Sequence, residues 1–253
     1  MYIIFLALLA SNVAYAEVIF EGFYAQKIKQ VHSGYQITQL SFDKKSNQYT
    51  LKTYIYLKAN KQQNVVMETS VTDAQWRPIT YNKSIYAPKE IMSVDVSFQD
   101  GQATVTGYNL NEKLNKKIKV TPKVLLSSCL NYYFKDKIKQ KTIALEVFRT
   151  LDLKLITDSA TLGQLQKPYK GLNLFFAKFG KNNGGEIVTL FNKHGDDVYV
   201  KFAKIDFELE SVNSLQLATK NLAYDKAQIQ KFFQAEPKGL LNIYRKNDEK
   251  KHL

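Results

Sequence analysis

A chain of 253 residues with 45% apolar and 13% aromatic residues has too much buriable surface to be disordered, and it is long enough for one large or two small domains. Its formal net charge of +13 comes from 36 basic against 23 acidic residues, yet only Arg77, Arg149 and Arg245 are arginine. Guanidinium grips phosphate bidentately whereas ammonium is a point charge. A lysine excess therefore argues against sequence-specific nucleic-acid reading and for a surface that attracts anions without choosing among them.

Residues 3–10 form an uncharged apolar run, followed by Ser11, Asn12 and then Ala14-Tyr15-Ala16 before Glu17. Small residues at positions −3 and −1 after a short apolar core predict a signal peptide over 1–16, although residues 1 and 2 carry no Lys or Arg. The run is too short for a spanning anchor, and no later apolar run approaches 18 residues. The expected destination is the periplasm, with an extracellular destination as the alternative. A single cysteine, Cys129, cannot form an internal disulfide; between Leu125, Leu126 and Leu130 it reads as a buried small hydrophobe.

From residue 17 the pattern is β. In 49–57, Tyr49, Leu51, Thr53, Ile55 and Leu57 share one face, while Tyr54 and Tyr56 put apolar bulk on the other. That two-sided character fits a sandwich, a covering helix or a sheet whose second face holds a greasy ligand. In 92–98, Met92, Val94, Val96 and Phe98 alternate with polar residues, and Asp100-Gly101 then predicts a two-residue hairpin returning through 103–108. Residues 122–134 place apolar side chains at 126, 129, 130 and 133, which predicts a short helix over the sheet. Alternation resumes over 142–156, with Ile143, Leu145, Val147, Leu151, Leu153 and Leu155 in line. A second hairpin is predicted from 186–191 to 198–209, its long second arm bent after Ala203-Lys204 where the apolar phase shifts. A helical stretch starting at Asp225 and a final strand over 240–244 complete the reading. The organisation expected is a signal peptide over 1–16, one β-rich domain over 17–246 and a charged tail over 247–253. The fold class is mainly β: a large antiparallel sheet curled into an open or half barrel, with one or two short helices.

Catalytic patterns are scarce. The chain has no G-x-S-x-G, H-E-x-x-H, C-x-x-C or phosphate-loop sequence, and His32, His194 and His252 lack ligand spacing, so neither metal nor cofactor is expected. Gly180-Lys181-Asn182-Asn183-Gly184-Gly185 precedes no helix and reads as a loop. Asp206, Glu208 and Glu210 alternate along one strand face, which suits either a solvated face or the paired carboxylates of a polymer hydrolase.

The lysines carry the strongest signal. Lys113, Lys116, Lys117, Lys119, Lys123, Lys135, Lys137, Lys139 and Lys141 face only Asp136 in the same window, a local charge of +8. If the end of the window is extended, residues 135, 137, 139 and 141 form a cation ladder on one side. Such a patch suits anionic lipid, lipopolysaccharide, cell-wall polymer or an acidic protein; it also suits a solvated edge that resists pairing.

The Phe20-to-Tyr24 run, Trp76-Arg77-Pro78-Ile79, the Asp100-Gly101 hairpin and the segment from Pro122 through Ser127-Ser128 to Tyr132-Tyr133 together resemble a class of exported, β-rich bacterial envelope proteins of unknown function. More distantly the chain is similar to periplasmic lipoprotein carriers, whose half-barrels hold acyl chains on a concave apolar face. The resemblance covers most of 18–210 and implies a curled antiparallel sheet with a binding role in the envelope. It transfers no site residue. The leading expectation is a non-catalytic periplasmic binding protein for an amphiphilic or anionic envelope component. The alternatives are a hydrolase using the acidic face and a structural or adhesion module binding a protein partner.

Overall fold

The computed structural model describes residues 16–59, 62–87, 89–110, 112–180 and 185–239. Nearly all of the expected signal segment, residues 181–184, the expected last strand, the charged tail and His252 lie outside these.

Eight long strands come first: β1 (Glu17–Ile28), β2 (Val31–Asp43), β3 (Gln48–Ala59), β4 (Gln62–Asp73), β5 (Pro78–Tyr86), β6 (Glu90–Gln99), β7 (Gln102–Asn109) and β8 (Glu112–Lys119). They form an antiparallel meander. The predicted two-residue turn is there: Asp100 and Gly101 both have positive φ (51° and 71°) between β6 and β7, as do Lys29 and Gln30 between β1 and β2. A short β9 (Val124–Leu126) leads through a one-turn 3₁₀ helix at Ser127–Cys129 into α1 (Leu130–Lys135). The chain then returns to strands as β10 (Thr142–Arg149), β11 (Lys154–Gln164), β12 (Phe175–Phe179), β13 (Ile187–Phe191), β14 (Asp197–Phe202) and β15 (Phe207–Val212), before α2 (Leu215–Ala218) and α3 (Lys226–Phe233).

All fifteen strands belong to one sheet, ordered β8 to β1 and then β15 down to β9. Every pair is antiparallel except β9 with β10, so the sheet is mixed by that one short pairing. The two meanders join where β1 pairs with β15, Phe23 opposite Val212.

The connection from β8 to β9 dictates the shape. Laid flat at about 4.8 Å per strand, fifteen strands would put the edges roughly 65 Å apart. The chain crosses from Lys119 to Val124, a reach of at most about 19 Å. The sheet must therefore curl until its edges approach. Side chains confirm it: the Phe98 ring of β6 meets Phe148 of β10 edge-on at 5.2 Å, although eleven strand positions separate them. Among the described residues the edges do not pair with each other, so the curl remains an unclosed barrel.

One large core fills the concave side, drawing Tyr81, Val94, Val105 and Trp76 from the first meander and Phe148, Leu162 and Phe191 from the second. The segment from β9 through α1 lies inside this curl. Tyr132 of α1 stacks on Trp76 at 5.0 Å, and Tyr49 stacks on Trp76 at 4.2 Å. The convex side of β1–β4 is covered by α2, α3 and the segment after α3. Asp225 caps α3 by accepting from the Gln228 N–H at 2.9 Å, and Lys52 Nζ donates to the Phe232 carbonyl. Buried Glu21 accepts from the Lys238 and Gly239 N–H groups at 2.7 and 3.0 Å, holding the covering segment to β1.

Three local expectations are corrected. The alternation over 142–156 is two strands. The chain reverses through Thr150–Leu153, where Leu153 has φ 56° and Leu151 is 77% exposed, and Arg149 clasps Asp152. The bent arm over 198–209 is likewise a reversal: one 3₁₀ turn and left-handed Asp206 separate β14 from β15, which pair antiparallel. The stretch 135–141 is the end of α1 followed by turns, so Lys135, Lys137, Lys139 and Lys141 form no strand ladder.

Candidate functional site

Lysines are concentrated on edge strand β8 and in the turns after α1. On edge strand β8, Leu114 and Ile118 pack against the inner core. Period-two alternation puts Lys116 with them, where its Nζ reaches across the seam to the Leu153 carbonyl at 3.1 Å. Lys113, Lys117 and Lys119 take the opposite, outward phase and are exposed. At the end of α1 and in the turns after it, Lys139 and Lys141 are exposed, while Lys135 and Lys137 are half-buried and Lys137 Nζ sits 5.7 Å from the Tyr133 ring. The β8–β9 connection is tied down by Thr121, whose N–H and hydroxyl both donate to Glu146. The fold thus divides the sequence cluster into an outward β8 row, a seam bridge and a turn group.

The acidic face is a set of cross-strand ion pairs on the convex side, opposite buried Leu209. Glu208 takes Lys201 at 3.1 Å, and Glu210 takes Lys27 at 3.0 Å and also Lys170. Burial works to raise the Glu208 carboxyl, but Lys201, Tyr199 and Gln30 outweigh it and hold it below the usual range. Asp206 sits apart in the left-handed turn. A general acid needs the opposite shift, so Glu208 is not tuned for that role.

Within the curl lies a buried polar knot that the sequence did not single out. Lys83, 5% exposed, contacts Glu68 at 3.2 Å and donates to the Thr150 carbonyl, while Tyr81 donates to Glu68 at 2.9 Å. Ser127 and Ser128 are joined to Thr150 and Ser70. Beside them, burial pushes the Cys129 thiol up to about 12. A nucleophile needs a lowered pKa or a free base; here the thiol is held protonated and the amine is already paired, so the knot stitches β4 and β5 to the β10–β11 turn.

On the convex side, Tyr35, Tyr54 and Tyr56 form a row across β2 and β3. Tyr35 lies between the others, 5.1 Å from Tyr56 and 6.2 Å from Tyr54, with near-parallel rings. Tyr54 donates to the Gln228 side chain at 2.8 Å, which docks α3. The covering helix, one of the readings open for that two-faced strand, is the one the fold adopts. Between the row and the chain entering α3 lies a hollow of about 480 Å³. Among the described residues no group of three or more His, Cys, Asp or Glu is arranged to hold a metal, and no helix is long and apolar enough to cross a membrane.

No protein-family model matches the chain, and no curated protein matches it either. Among solved structures it is similar to a β-barrel-like protein of domain of unknown function DUF1849 from Brucella abortus, with a TM-score of 0.56 at 12% identity over 78% of this chain and 95% of that one. A DUF1089 family protein from Pseudomonas aeruginosa gives a TM-score of 0.43 at 9% identity over 68% of this chain and 90% of that one. The first likeness agrees with a β-barrel-like fold and with a β-rich class of unknown function.

Proposed function

We propose that the protein is exported to the periplasm and binds an anionic component of the cell envelope, lipid or lipopolysaccharide, without catalysis. The observation that carries this is the row of exposed lysines, Lys113, Lys117 and Lys119, that projects outward from edge strand β8, with further exposed lysines, Lys139 and Lys141, in the turns after α1. Clustered ammonium groups raise the local concentration of anionic head groups without demanding a fixed geometry, which suits lysine better than arginine. The contact belongs on the outside of the curl. In a carrier-like half-barrel the concave face would hold acyl chains, whereas here Trp76, Tyr132, Phe134 and Phe148 fill it. Export rests on the apolar run and Ala14-Tyr15-Ala16.

Co-sedimentation of the mature protein with phosphatidylcholine vesicles, with and without phosphatidylglycerol, tests this reading. Binding should require the anionic lipid and fade as salt rises from about 0.05 to 0.5 M. At about 1 kcal/mol per lysine, replacing Lys113, Lys117 and Lys119 by Gln should weaken it on the order of 100-fold. Equal binding to neutral vesicles, or an unchanged triple variant, would reject it.

A further inference from the structure

Past β4 the convex face of the first meander has a chemistry of its own. Strand pairing sets Thr80, Ser97 and Thr104 side by side in one row across β5, β6 and β7, and Asn82, Asp95 and Thr106 in the next. All six point away from the core, which takes Tyr81, Val94, Val96, Ala103 and Val105 from the same strands. They are exposed or half-buried, and together they line a trough of about 250 Å³ that is open to solvent.

Strand β8 forms one wall of it. Lys117 continues the Thr104 row, and Lys113 stands opposite Tyr108, one row beyond Thr106; both lysines are exposed. Unlike Lys27, Lys170 and Lys201, neither is held in an ion pair among the described residues. At the Lys113 end, Glu90 accepts from the hydroxyls of both Tyr108 and Tyr86, which fixes a pair of half-buried rings there. Rows on one face of a strand repeat every two residues, so the Thr104 and Tyr108 rows lie about 14 Å apart.

This lining selects its ligand. The hydroxyls and the Asn82 amide both donate and accept, and Asp95, which already accepts from Asn82, can take a further hydroxyl donor. Threonine sets a methyl beside its hydroxyl, as a sugar ring sets C–H beside O–H, and tyrosine rings add an apolar body with a polar tip. None of the six lining residues is a large apolar one, so an acyl chain laid here would bury little. The negative groups, Asp95 and Glu90, belong to β6, whereas the lysines stand on β8. A ligand that suits both is rich in hydroxyls and carries its acidic group on one flank.

We propose that the β5–β8 face binds a phosphorylated saccharide, its hydroxyls over the two short-chain rows and its phosphate on Lys117 and Lys113. This rests on the anionic-partner reading and narrows it: the saccharide portion of a lipopolysaccharide, rather than a head group in a bilayer, seats on the sheet.

Calorimetric titration of the mature protein with fully deacylated lipopolysaccharide, which keeps the phosphorylated saccharide and lacks the acyl chains, tests the proposal. Maltotriose and inorganic phosphate serve as comparison ligands, each taken to about 10 mM so that even millimolar affinity registers. The phosphorylated saccharide should saturate and bind at least about 10-fold more tightly than either. Thr80→Val with Thr104→Val keeps the branched shape and removes two hydroxyls; it should weaken saccharide binding roughly 10-fold. The same variant should melt with the parent, because both positions lie on the outer face, and should bind phosphatidylglycerol vesicles as the parent does. The site is overturned if the deacylated saccharide does not saturate, if it binds no more tightly than maltotriose or phosphate, or if the double valine variant binds it like the parent. If phosphatidylglycerol vesicles still bind in such a case, the saccharide site alone is lost; if neither vesicles nor saccharide bind, the broader reading falls with it.

Discussion

Asp197 opens β14 with its carboxylate accepting from the Thr189 hydroxyl at 2.9 Å and from the Asn131 amide of α1. Burial pushes this carboxyl up to about 7 from an ordinary 3.8, and neighbouring Asp196 adds to the rise, against the two hydrogen bonds that favour the charged form. The folded chain therefore keeps a proton that the unfolded chain has released between those two values. Asp197 takes stability away as pH climbs from about 4 to about 7, and its penalty is complete above that. Asn can accept the Thr189 bond with no charge to bury. In melting curves across that range, the Tm of Asp197→Asn relative to the parent should rise with pH. A difference that stays constant would mean that Asp197 titrates normally in the fold. None of this was legible in the sequence, because Asp196-Asp197 reads as an ordinary polar turn until α1 is packed over it.

Among the elements, β8 shows how one set of side chains can serve two purposes. Among the described residues it is the long unpaired edge of the sheet; the opposite edge, β9, has three residues and all of them are buried. A free edge offers unpaired N–H and C=O groups to any other strand, and outward lysines discourage such pairing by charge. Lys117→Val with Lys119→Val should produce concentration-dependent association by light scattering, while the same change to Gln should leave the chain monodisperse. A monodisperse Val variant would show that these lysines are not guarding the edge. Several elements were legible beforehand. Asp100-Gly101 fixed a hairpin because both positions accept positive φ, and Asp225 marked the start of α3 because a short carboxylate there satisfies a free N–H. The reversals at Thr150–Leu153 and Ala203–Asp206 were read as continuing strand. In the first, Leu151 and Leu153 keep the apolar alternation through the turn; in the second, Asp206 takes the left-handed conformation without a glycine to announce it.

For the whole molecule, the concave core is the unit that matters. It draws buried residues from both meanders, and Trp76, the sole tryptophan, stands between Tyr49 of the first meander and Tyr132 beyond its end. Neither meander can bury its inner face without the other. Unfolding in denaturant should therefore follow one cooperative transition, with Trp76 fluorescence and far-UV circular dichroism superimposable. Two separated transitions would mean that the meanders fold as independent units.

The sequence by itself determined the strand content, the Asp100-Gly101 hairpin, the neighbourhoods of α1 and α3 though not of α2, and the density of lysine over 113–141. These depend on period, turn chemistry and charge within a few residues of one another. Only the tertiary structure decided which way the sheet curls and what each face meets. Period two shows that a strand such as β3 has two apolar faces but does not say which one is concave. The pairing of β1 with β15 joins residues nearly two hundred positions apart and leaves no local trace. That pairing, with the short β8–β9 connection, places Tyr54 and Tyr56 under α3 and leaves Lys113, Lys117 and Lys119 facing outward at an open seam.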